Sequence, residues 1–483
     1  MAKTRSHLVL LLLVVSPVPG QTGQQENSGS AAITPGILHG NVRCTKEPLQ
    51  SYALYLPSAY STARTWPILY VFDPGARGAV AAELMKDAAE REGYIIAASN
   101  NARNGPAQPE FDAANAVFKD THQRLAIDGR RMYFAGFSGS ARVAARIASL
   151  CKCAAGVFLN GAGFPRDSPP SRSATFPVFS AVGNADFNYS EVVQLQDKLA
   201  QEDYPHWLRT FEGPHQWAPA QVVEEAFAWF TLQAMKSGST RRDDAFLAKQ
   251  FNLELERANR LEQSGDLFAA WRELRQAGWT FHGIVANEPF TQRADALQEQ
   301  KAVREGMKLE EREFEQQERL TEEISAGLAA LQNSHDDSTV QLIQVRGQIV
   351  SLRKETEHEK HPERLLVLKR ALAGVSMQAL EAGGEELEGK DIAGAATYFE
   401  LATEGDPQSA SAFLGLAIAR AYGGDSHGAL AALHKARELT KDPAALAARA
   451  KGEPAFAKLR DRPDFLAIFE DSAAKPSEAP HAP

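Results

Sequence analysis

The stretch Arg131–Leu150, RMYFAGFSGSARVAARIASL, decides the fold of the chain. Its first seven residues have the apolar and aromatic character of a buried strand, and its last ten predict a helix. Only the small residues Ser138, Gly139 and Ser140, the end of the motif GFSGS at positions 136–140, separate the two. A strand that passes through so short a turn into a helix would hold the side chain of Ser138 above the edge of a sheet.

Strand-like and helix-like segments alternate on both sides of this stretch, from about residue 41 to 236. Further strands are predicted at 51–56, 66–72, 94–98, 155–159, 176–182 and 207–211, and helices near 79–91, 110–125, 139–150, 189–202 and 219–236. Short apolar strands separated by amphipathic helices predict a mostly parallel sheet with helices on both faces. We therefore expect an α/β domain over residues 41–238.

After about residue 240 the strand signals end and the sequence is helical in character. The pattern D-x3-A-x3-[LF]-x2-A begins at Asp266, Asp391 and Asp425, and the last two copies are 34 residues apart. That spacing is the period of tetratricopeptide repeats, in which small alanines let paired helices approach closely. We predict tetratricopeptide-like helices over residues 383–470, with an unrelated helical bundle as the alternative.

The segment between the repeat copies is rich in charge. Apolar residues recur at helical spacing through residues 290–333, which are dense in Glu, Gln, Arg and Lys. This pattern predicts a long amphipathic helix or a coiled-coil arm within a helical region at 245–382, followed by a return helix after Ser338.

The two ends of the chain predict export and a disordered tail. Lys3 and Arg5 precede an apolar run from Leu8 to Val15, followed by small residues up to Gly20, which is the layout of a cleaved signal peptide over 1–20. The alternative, a membrane anchor, needs about 20 apolar residues. A flexible lead-in is expected at 21–40 and disorder at 471–483. We expect a periplasmic or secreted bacterial protein without membrane insertion after cleavage.

Composition and cysteine content argue against several classes of function. The 483 residues are 44% hydrophobic and 23% charged, with a formal net charge of −9, which argues against nucleic-acid binding. The three cysteines, Cys44, Cys151 and Cys153, permit one disulfide whose pairing stays open, and buried, inert cysteines are favoured over a metal site. No motif calls for a metal, a nucleotide or a flavin, so no cofactor is expected.

Ser138 has candidate partners at the ends of two later strands. Asp186 follows the strand at 176–182, and His215 follows the strand at 207–211. Parallel strands end at one edge of a sheet, so Ser138, Asp186 and His215 should meet there as nucleophile, acid and base.

An oxyanion hole and a substrate pocket should lie at the same edge. The backbone N–H of Gly139 is one expected oxyanion donor, and that of Gly75 or Ala76, in a loop rich in small residues, is the second. Asp73 is interpreted as a turn-forming acceptor. Candidate pocket residues, for which ordinary packing is the alternative, are Asn104, Phe164, Phe187, Tyr189 and Trp217.

These residues resemble a known family. YALYLPSAY, WPILYVFDPGARG, SNNARNGP, AGFSGSARVA, NGAGFP, ADFNY and GPHQWAP are similar to motifs of the α/β-hydrolase superfamily, in its esterase, dienelactone-hydrolase and polyhydroxybutyrate-depolymerase-like branch. More narrowly, they resemble those of bacterial exported hydrolases with helical, tetratricopeptide-like C-terminal regions. The resemblance implies the same roles for Ser138, Asp186 and His215. Relatives usually carry glycine where this chain has Ser140.

The sequence thus predicts an exported serine hydrolase that cleaves carboxylic esters through an acyl-enzyme. Its substrate would be a small-molecule or polymeric ester, and its C-terminal helices could bind a protein partner. A serine peptidase is one alternative. A protein-binding scaffold with a degenerate hydrolase domain is the other, and an intact set of Ser, His and Asp disfavours it.

Overall fold

The computed structural model describes residues 33–104, 107–333 and 338–470. The described residues up to Glu315 form one compact unit, and those from Gln316 onward form a second. The predicted signal peptide at 1–20, the lead-in up to residue 32 and the predicted tail at 471–483 lie outside the described residues. No helix in the described ranges is both long and apolar enough to cross a membrane.

The first unit is built on an eight-stranded sheet in the order β1-β2-β4-β3-β5-β6-β7-β8. β2 is antiparallel to both of its neighbours, and all pairs from β4 to β8 are parallel. The strands are β1 (Leu38–Arg43), β2 (Ser51–Tyr55), β3 (Trp66–Phe72), β4 (Ile95–Ser99), β5 (Ile127–Phe137), β6 (Ala154–Asn160), β7 (Val178–Gly183) and β8 (His206–Phe211).

Strand β1 was not predicted, whereas the other seven strands were. It begins inside the stretch interpreted as a flexible lead-in and three residues before the expected domain start at 41. Its sequence LHGNVR is polar, and its side chains are half-buried or exposed because it is the edge strand of the sheet. An edge strand that buries little apolar surface lacks the alternation that marks a strand in a sequence.

Helices cover both faces of the sheet. They are α1 (Gly78–Glu92), α2 (Ala107–Arg124), α3 (Gly139–Cys151), α4 (Tyr189–Gln201) and α5 (Ala220–Lys236). Successive residues of β3 alternate between two cores: Leu69 and Val71 pack with α1 and α5, while Ile68 and Tyr70 pack with α2 and α3. This alternation is the period of two that a strand imposes. The predicted α/β fold class, followed by a helical region, is confirmed.

Three helices beyond the predicted boundary at residue 238 belong to the same unit as the sheet. They are α6 (Asp244–Ser264), α7 (Leu267–Phe281) and α8 (Glu288–Gln298). Their buried residues Leu247, Leu274 and Phe290 join the core on the α1 and α5 face. The strand pattern ends where the sheet ends. The unit continues beyond that point, because α6, α7 and α8 bury their apolar faces in the core that contains α1 and α5.

A buried arginine holds these helices to the last strand. Arg209 on β8 is 5% exposed and donates to Glu225 of α5, to Glu254 of α6 at 2.8 Å, and to both carboxylate oxygens of Glu273 of α7 at 2.9 and 2.7 Å. Burial raises the pKa of Glu254 to about 8. Burial acts the same way on Glu273, but the charge of Arg209 outweighs it and the pKa of Glu273 is lowered. Glu254 is therefore the member of the pair that holds a proton near neutral pH.

The second unit is helical throughout its described residues. It takes the later part of α9 (Lys301–Asn333), then α10 (Ser338–His358), α11 (Pro362–Glu388), α12 (Ile392–Gly405), α13 (Ala410–Tyr422), α14 (Ser426–Leu439), α15 (Pro443–Gly452) and α16 (Pro463–Glu470). The stretch 290–333, predicted as one long charged helix, is interrupted at residues 299–300, where α8 ends and α9 begins. The return helix is present as α10, although the punctuating residues 334–337 lie outside the described ranges.

The repeated Asp residues are N-caps of helices. Asp266, Asp391 and Asp425 each accept a hydrogen bond from the backbone N–H three residues later, at the starts of α7, α12 and α14. The alanines that follow them in the pattern are buried in all three helices. The pattern D-x3-A-x3-[LF]-x2-A thus corresponds to a helix with an Asp N-cap and a closely packed alanine face. The tetratricopeptide and coiled-coil assignments remain predictions.

The cysteines divide into one pair and one free thiol. Cys151, at the end of α3, and Cys153, just before β6, form a disulfide. Cys151 is exposed, which corrects the expectation that the cysteines are buried. Cys44 is buried and free, and burial raises its pKa to about 11. The disulfide lies at the end of α3 farthest from Ser138.

The buried cluster around Arg209 makes stability depend on pH. Glu254 keeps its proton in the native state up to about pH 8, whereas an unfolded chain releases it near its ordinary value. Between these values the native state holds more protons, so the free energy of unfolding should fall as pH rises. We expect Glu254→Gln to remove much of this fall and to be more stable than wild type at pH 8.5 by roughly 1–3 kcal/mol, measured by urea unfolding.

Glu273→Gln is the matched control. It removes the carboxylate whose pKa Arg209 lowers, so it should destabilise the protein throughout the neutral range. Equal loss of stability in both variants would contradict the assignment of the proton to Glu254.

Candidate active site

Ser138 lies on a strained turn between β5 and α3. Its φ and ψ are 55° and −128°, and α3 begins at the next residue, Gly139. A Cβ on Gly136 would lie 2.1 Å from the carbonyl oxygen of Ser140, so only glycine allows the start of the helix to fold back against the strand. The Ser138 N–H donates to the carbonyl of Asn160 at 2.8 Å. The turn thereby fixes Ser138 above the carboxyl edge of the sheet.

The structure brings the three predicted catalytic residues together. His215 Nε2 lies 2.8 Å from Ser138 Oγ, and His215 Nδ1 lies 2.9 Å from both carboxylate oxygens of Asp186. The three residues follow β5, β7 and β8, whose parallel pairing places their ends at one edge. With Nδ1 donating to Asp186, the Nε2 atom is free to accept the proton of Ser138.

Asp186 is held in place by backbone and side-chain contacts. It is fully buried, and the N–H of Asn188 donates to its Oδ1 at 2.8 Å. The Asn188 side chain in turn donates to the carbonyl of Gly161 at 2.7 Å, which ties the loop after β7 to the end of β6. Asn188 was missed in the sequence, where its only signal is its position two residues after the candidate acid.

Aromatic rings enclose the imidazole of His215. The ring centroids of Phe137 and Phe187 lie 4.6 and 4.3 Å from that of His215, and Trp217 lies 5.6 Å from Phe137. The side chain of His215 is left 12% exposed. These rings restrict the movement of the imidazole and shield its hydrogen bonds from water. Phe137 was not predicted as a site residue, although it directly precedes Ser138.

A buried aspartate joins the loop after β3 to the loop that carries His215. Asp73 accepts hydrogen bonds from the Trp217 indole N–H at 2.8 Å, from Arg77 Nε at 2.8 Å and from the Gly75 N–H at 2.9 Å. Burial favours the neutral acid, but the hydrogen bonds and charge of Arg77, together with those from Trp217 and Gly75, hold the pKa of Asp73 below its usual value. Asp73 is therefore an ionised structural acceptor.

The predicted second oxyanion donors are already engaged inside that loop. The Gly75 N–H donates to the Asp73 carboxylate, and the Ala76 N–H donates to the Asp73 carbonyl at 2.9 Å. This corrects the sequence-based expectation, because the carboxylate of Asp73 turns back onto the loop and takes its donor. The N–H of Gly139 has no acceptor within its own helix, since it opens α3.

Three of the five predicted pocket residues lie at the site. Phe187 and Trp217 belong to the aromatic group around His215. Asn104 lies against Gly139, because a Cβ built on Gly139 would be 2.0 Å from Asn104 Oδ1 and 3.0 Å from its Nδ2. In the described part of the chain, the Asn104 side chain makes no hydrogen bond, and only its backbone N–H is bonded, to the carbonyl of Pro74.

The other two predicted pocket residues serve in packing. Phe164 is 7% exposed and its ring stacks on that of Phe176 within the core. Tyr189 opens α4, and its ring contacts that of Phe314 on α9, at a centroid distance of 6.2 Å. Both were placed in the pocket because they neighbour site loops in the sequence. The side chain of Phe164 turns into the core, whereas that of Tyr189 contacts Phe314 and Arg272.

A buried carboxyl group, also missed in the sequence, lies behind the turn. Glu110 in the first turn of α2 is 3% exposed, and its Oε1 lies 2.6 Å from Ser140 Oγ. In the sequence it is one of many glutamates, and only the serine in place of glycine at position 140 hinted that a polar partner was needed.

The strand order, the antiparallel β2 and the positions of Ser138, Asp186 and His215 after β5, β7 and β8 are all features of one fold. The first unit has the α/β-hydrolase fold. Neither protein-family profiles nor curated proteins match the chain.

Solved structures with which the chain shares similarity include esterases and peptidases. S-formylglutathione hydrolase (FrmB) from Staphylococcus aureus is 15% identical, with a TM-score of 0.34, over 41% of this chain and 99% of that one. An esterase from Pyrobaculum calidifontis is 13% identical, with a TM-score of 0.33, over 41% of this chain and 87% of that one. Dipeptidyl peptidase 4 from Porphyromonas gingivalis is 12% identical, with a TM-score of 0.31, over 40% of this chain and 35% of that one.

The close approach at Gly136 yields a stability prediction. We expect Gly136→Ala to lower the free energy of unfolding by roughly 3 kcal/mol or more, because its Cβ meets backbone that cannot move without displacing α3. Gly129→Ala, on the same strand β5, adds a Cβ with nothing within 4 Å and should change stability by about 0.5 kcal/mol at most. Thermal and urea unfolding of both variants test this, and a tolerated Gly136→Ala would contradict it.

Proposed function

We propose that the protein is an exported serine hydrolase that cleaves carboxylic esters through an acyl-enzyme on Ser138. One observation carries the proposal: His215 bridges Ser138 and Asp186 through hydrogen bonds of 2.8 and 2.9 Å. A serine hydroxyl becomes a nucleophile when a positioned base takes its proton, and the base needs an anion to orient it and stabilise its charge. The site supplies all three groups.

In the proposed reaction, Ser138 Oγ attacks the ester carbonyl while His215 Nε2 takes its proton. The imidazolium that forms is stabilised by the buried carboxylate of Asp186. His215 then gives the proton to the departing alcohol, which leaves the acyl group on Ser138. A water molecule, activated by the same imidazole, attacks the acyl-enzyme and releases the carboxylic acid.

The oxyanion would be held by Gly139 and by Asn104. The Gly139 N–H opens α3, so it also carries the partial positive charge of a helix N-terminus. With the N–H groups of Gly75 and Ala76 engaged, the carboxamide beside Gly139 is the available second donor. Rotation about the terminal torsion of Asn104 exchanges its Oδ1 and Nδ2, so the side chain can present its NH2 group to the oxyanion.

Export, the choice of an ester and the partner of the helical region are further parts of this proposal. The basic and apolar N-terminus supports export. The aromatic rings beside His215 support a substrate with an apolar acyl or alcohol group. The 34-residue spacing of capped helices supports a tetratricopeptide-like surface for a protein partner.

Ester turnover tests the nucleophile. We expect the mature protein from Gln21 to hydrolyse p-nitrophenyl acetate, butyrate or octanoate, and we expect Ser138→Ala to lower kcat by about 10³-fold or more. Ser149→Ala is the matched control, because this serine lies on the same helix α3 and, among the described residues, its hydroxyl donates only to the carbonyl of Ala145. Retained turnover in Ser138→Ala would contradict the role of Ser138.

A fluorophosphonate probe separates the nucleophile from the substrate class. Labelling of wild type at Ser138 without turnover of these esters would favour the peptidase alternative. Absence of both labelling and turnover would favour the scaffold alternative.

Asn104 has its own prediction. We expect Asn104→Ala to lower kcat about 10²-fold with little change in KM, because the donor acts on charge that develops only in the transition state. Asn104→Asp should be worse, since its negative charge opposes the oxyanion. Asn101→Ala is the control: that amide holds the backbone of Ser51 at 2.8 Å and should affect stability rather than kcat. An unchanged kcat in Asn104→Ala would contradict the assignment.

A further inference from the structure

Two buried polar side chains meet directly behind the turn that carries Ser138. Glu110, 3% exposed, comes from the first turn of α2, and Ser140, fully buried, comes from the first turn of α3. Their oxygens lie 2.6 Å apart. Burying a carboxyl group at this depth costs free energy, and the cost is largest for the ionised form when no cation pairs with it.

The contact bears on the donor of the oxyanion hole. Ser140 packs its backbone against Gly136 of β5 and directs its side chain to Glu110. Gly139, whose N–H would hold the oxyanion, lies between Ser138 and Ser140. A change in the charge or position of Glu110 therefore acts on the turn that carries both the nucleophile and the oxyanion donor.

No cation neutralises Glu110 in the described part of the chain. The charged residues closest to it in the sequence of its own helix and of the preceding loop are Asp112 and Arg103, and the first charged residue of α3 is Arg142. Asp112 and Arg103 are exposed, and Arg142 is engaged with both oxygens of Glu191 at 2.6 and 2.7 Å. The packed strand β4, IIAAS, has no titratable side chain. On the other side of the turn, the titratable groups of the candidate site are His215 and Asp186, and neither contacts Glu110 in the described residues.

We propose that Glu110 is a positioning residue that holds the first turn of α3 through Ser140 and sets the upper pH limit of catalysis. This inference rests on the proposed function. In the neutral form, the carboxyl group and the Ser140 hydroxyl share a hydrogen bond without net charge. In the ionised form, an unpaired negative charge lies behind the turn and opposes the negative charge that develops on the substrate oxygen.

Burial places the ionisation of Glu110 close to neutral pH. Burial raises the pKa of Glu110 to about 7, while the hydrogen bond from Ser140 lowers it in part. As the pH rises through this value, the ionised form accumulates and turnover should fall. The ionisation of Glu110 therefore predicts a fall of kcat/KM on the alkaline side.

Three variants test the roles of Glu110 and Ser140. For each one, kcat/KM and the rate of fluorophosphonate labelling are measured as a function of pH. Wild type should lose about tenfold or more in both rates between pH 7 and pH 9. Glu110→Gln keeps the hydrogen bond but cannot ionise, so its rates should stay high at pH 9. Ser140→Gly removes the hydrogen bond that lowers the pKa of Glu110, so its fall should move to higher pH. Asp112→Asn, an exposed carboxylate of the same helix, should match wild type.

The outcomes separate this inference from the proposed function. Loss of the alkaline fall in Glu110→Gln, with its upward shift in Ser140→Gly, would support the inference. Labelling of Ser138 with the same pH profile in wild type, Glu110→Gln and Ser140→Gly would overturn it and leave the hydrolase proposal standing. Lower thermal stability in these variants without a change of profile would show a structural role alone and would also overturn it. No labelling of wild type at any pH would overturn both.

Discussion

The geometry of the site depends on the contact between the start of α3 and the end of β5. The carbonyl of Ser140 reaches so close to Gly136 that no side chain fits between them. This contact forces the chain at Ser138 into a positive φ of 55°, which costs free energy that the surrounding structure has to supply. In return, the hydroxyl is lifted clear of the sheet and the N–H of Gly139 points away from the helix.

The groups around this turn are positioned by buried charge and by rings. Asp73 links the loop after β3 to Trp217, Trp217 packs on Phe137, and Phe137 packs on His215. Elsewhere in the first unit, Arg209 ties three helices to β8, the strand that leads to His215. A buried charge that loses its partner is strongly destabilising, so each of these clusters restricts the loops it joins.

Much of the fold and part of the site could be predicted because their signals are local. Seven strands were recognised by apolar runs, and Ser138, Asp186 and His215 by their positions after strands that are parallel. The edge strand β1 was missed because it buries little apolar surface. The prediction that Gly75 or Ala76 donates to the oxyanion was wrong for another reason. Whether the Gly75 N–H is free depends on the direction of the Asp73 carboxylate, which no sequence pattern indicates.

The sequence by itself determined the α/β class, the order of the candidate catalytic residues and the capped helices, because periodicity and turn residues act over a few positions. Only the tertiary structure decided which side chains share the site. The rings of Phe164 and Tyr189 pack against other aromatic rings. Asn104 lies against Gly139, and Glu110 contacts Ser140, 30 residues later in the chain. These contacts join elements distant in sequence, and they follow from how helices pack on the sheet.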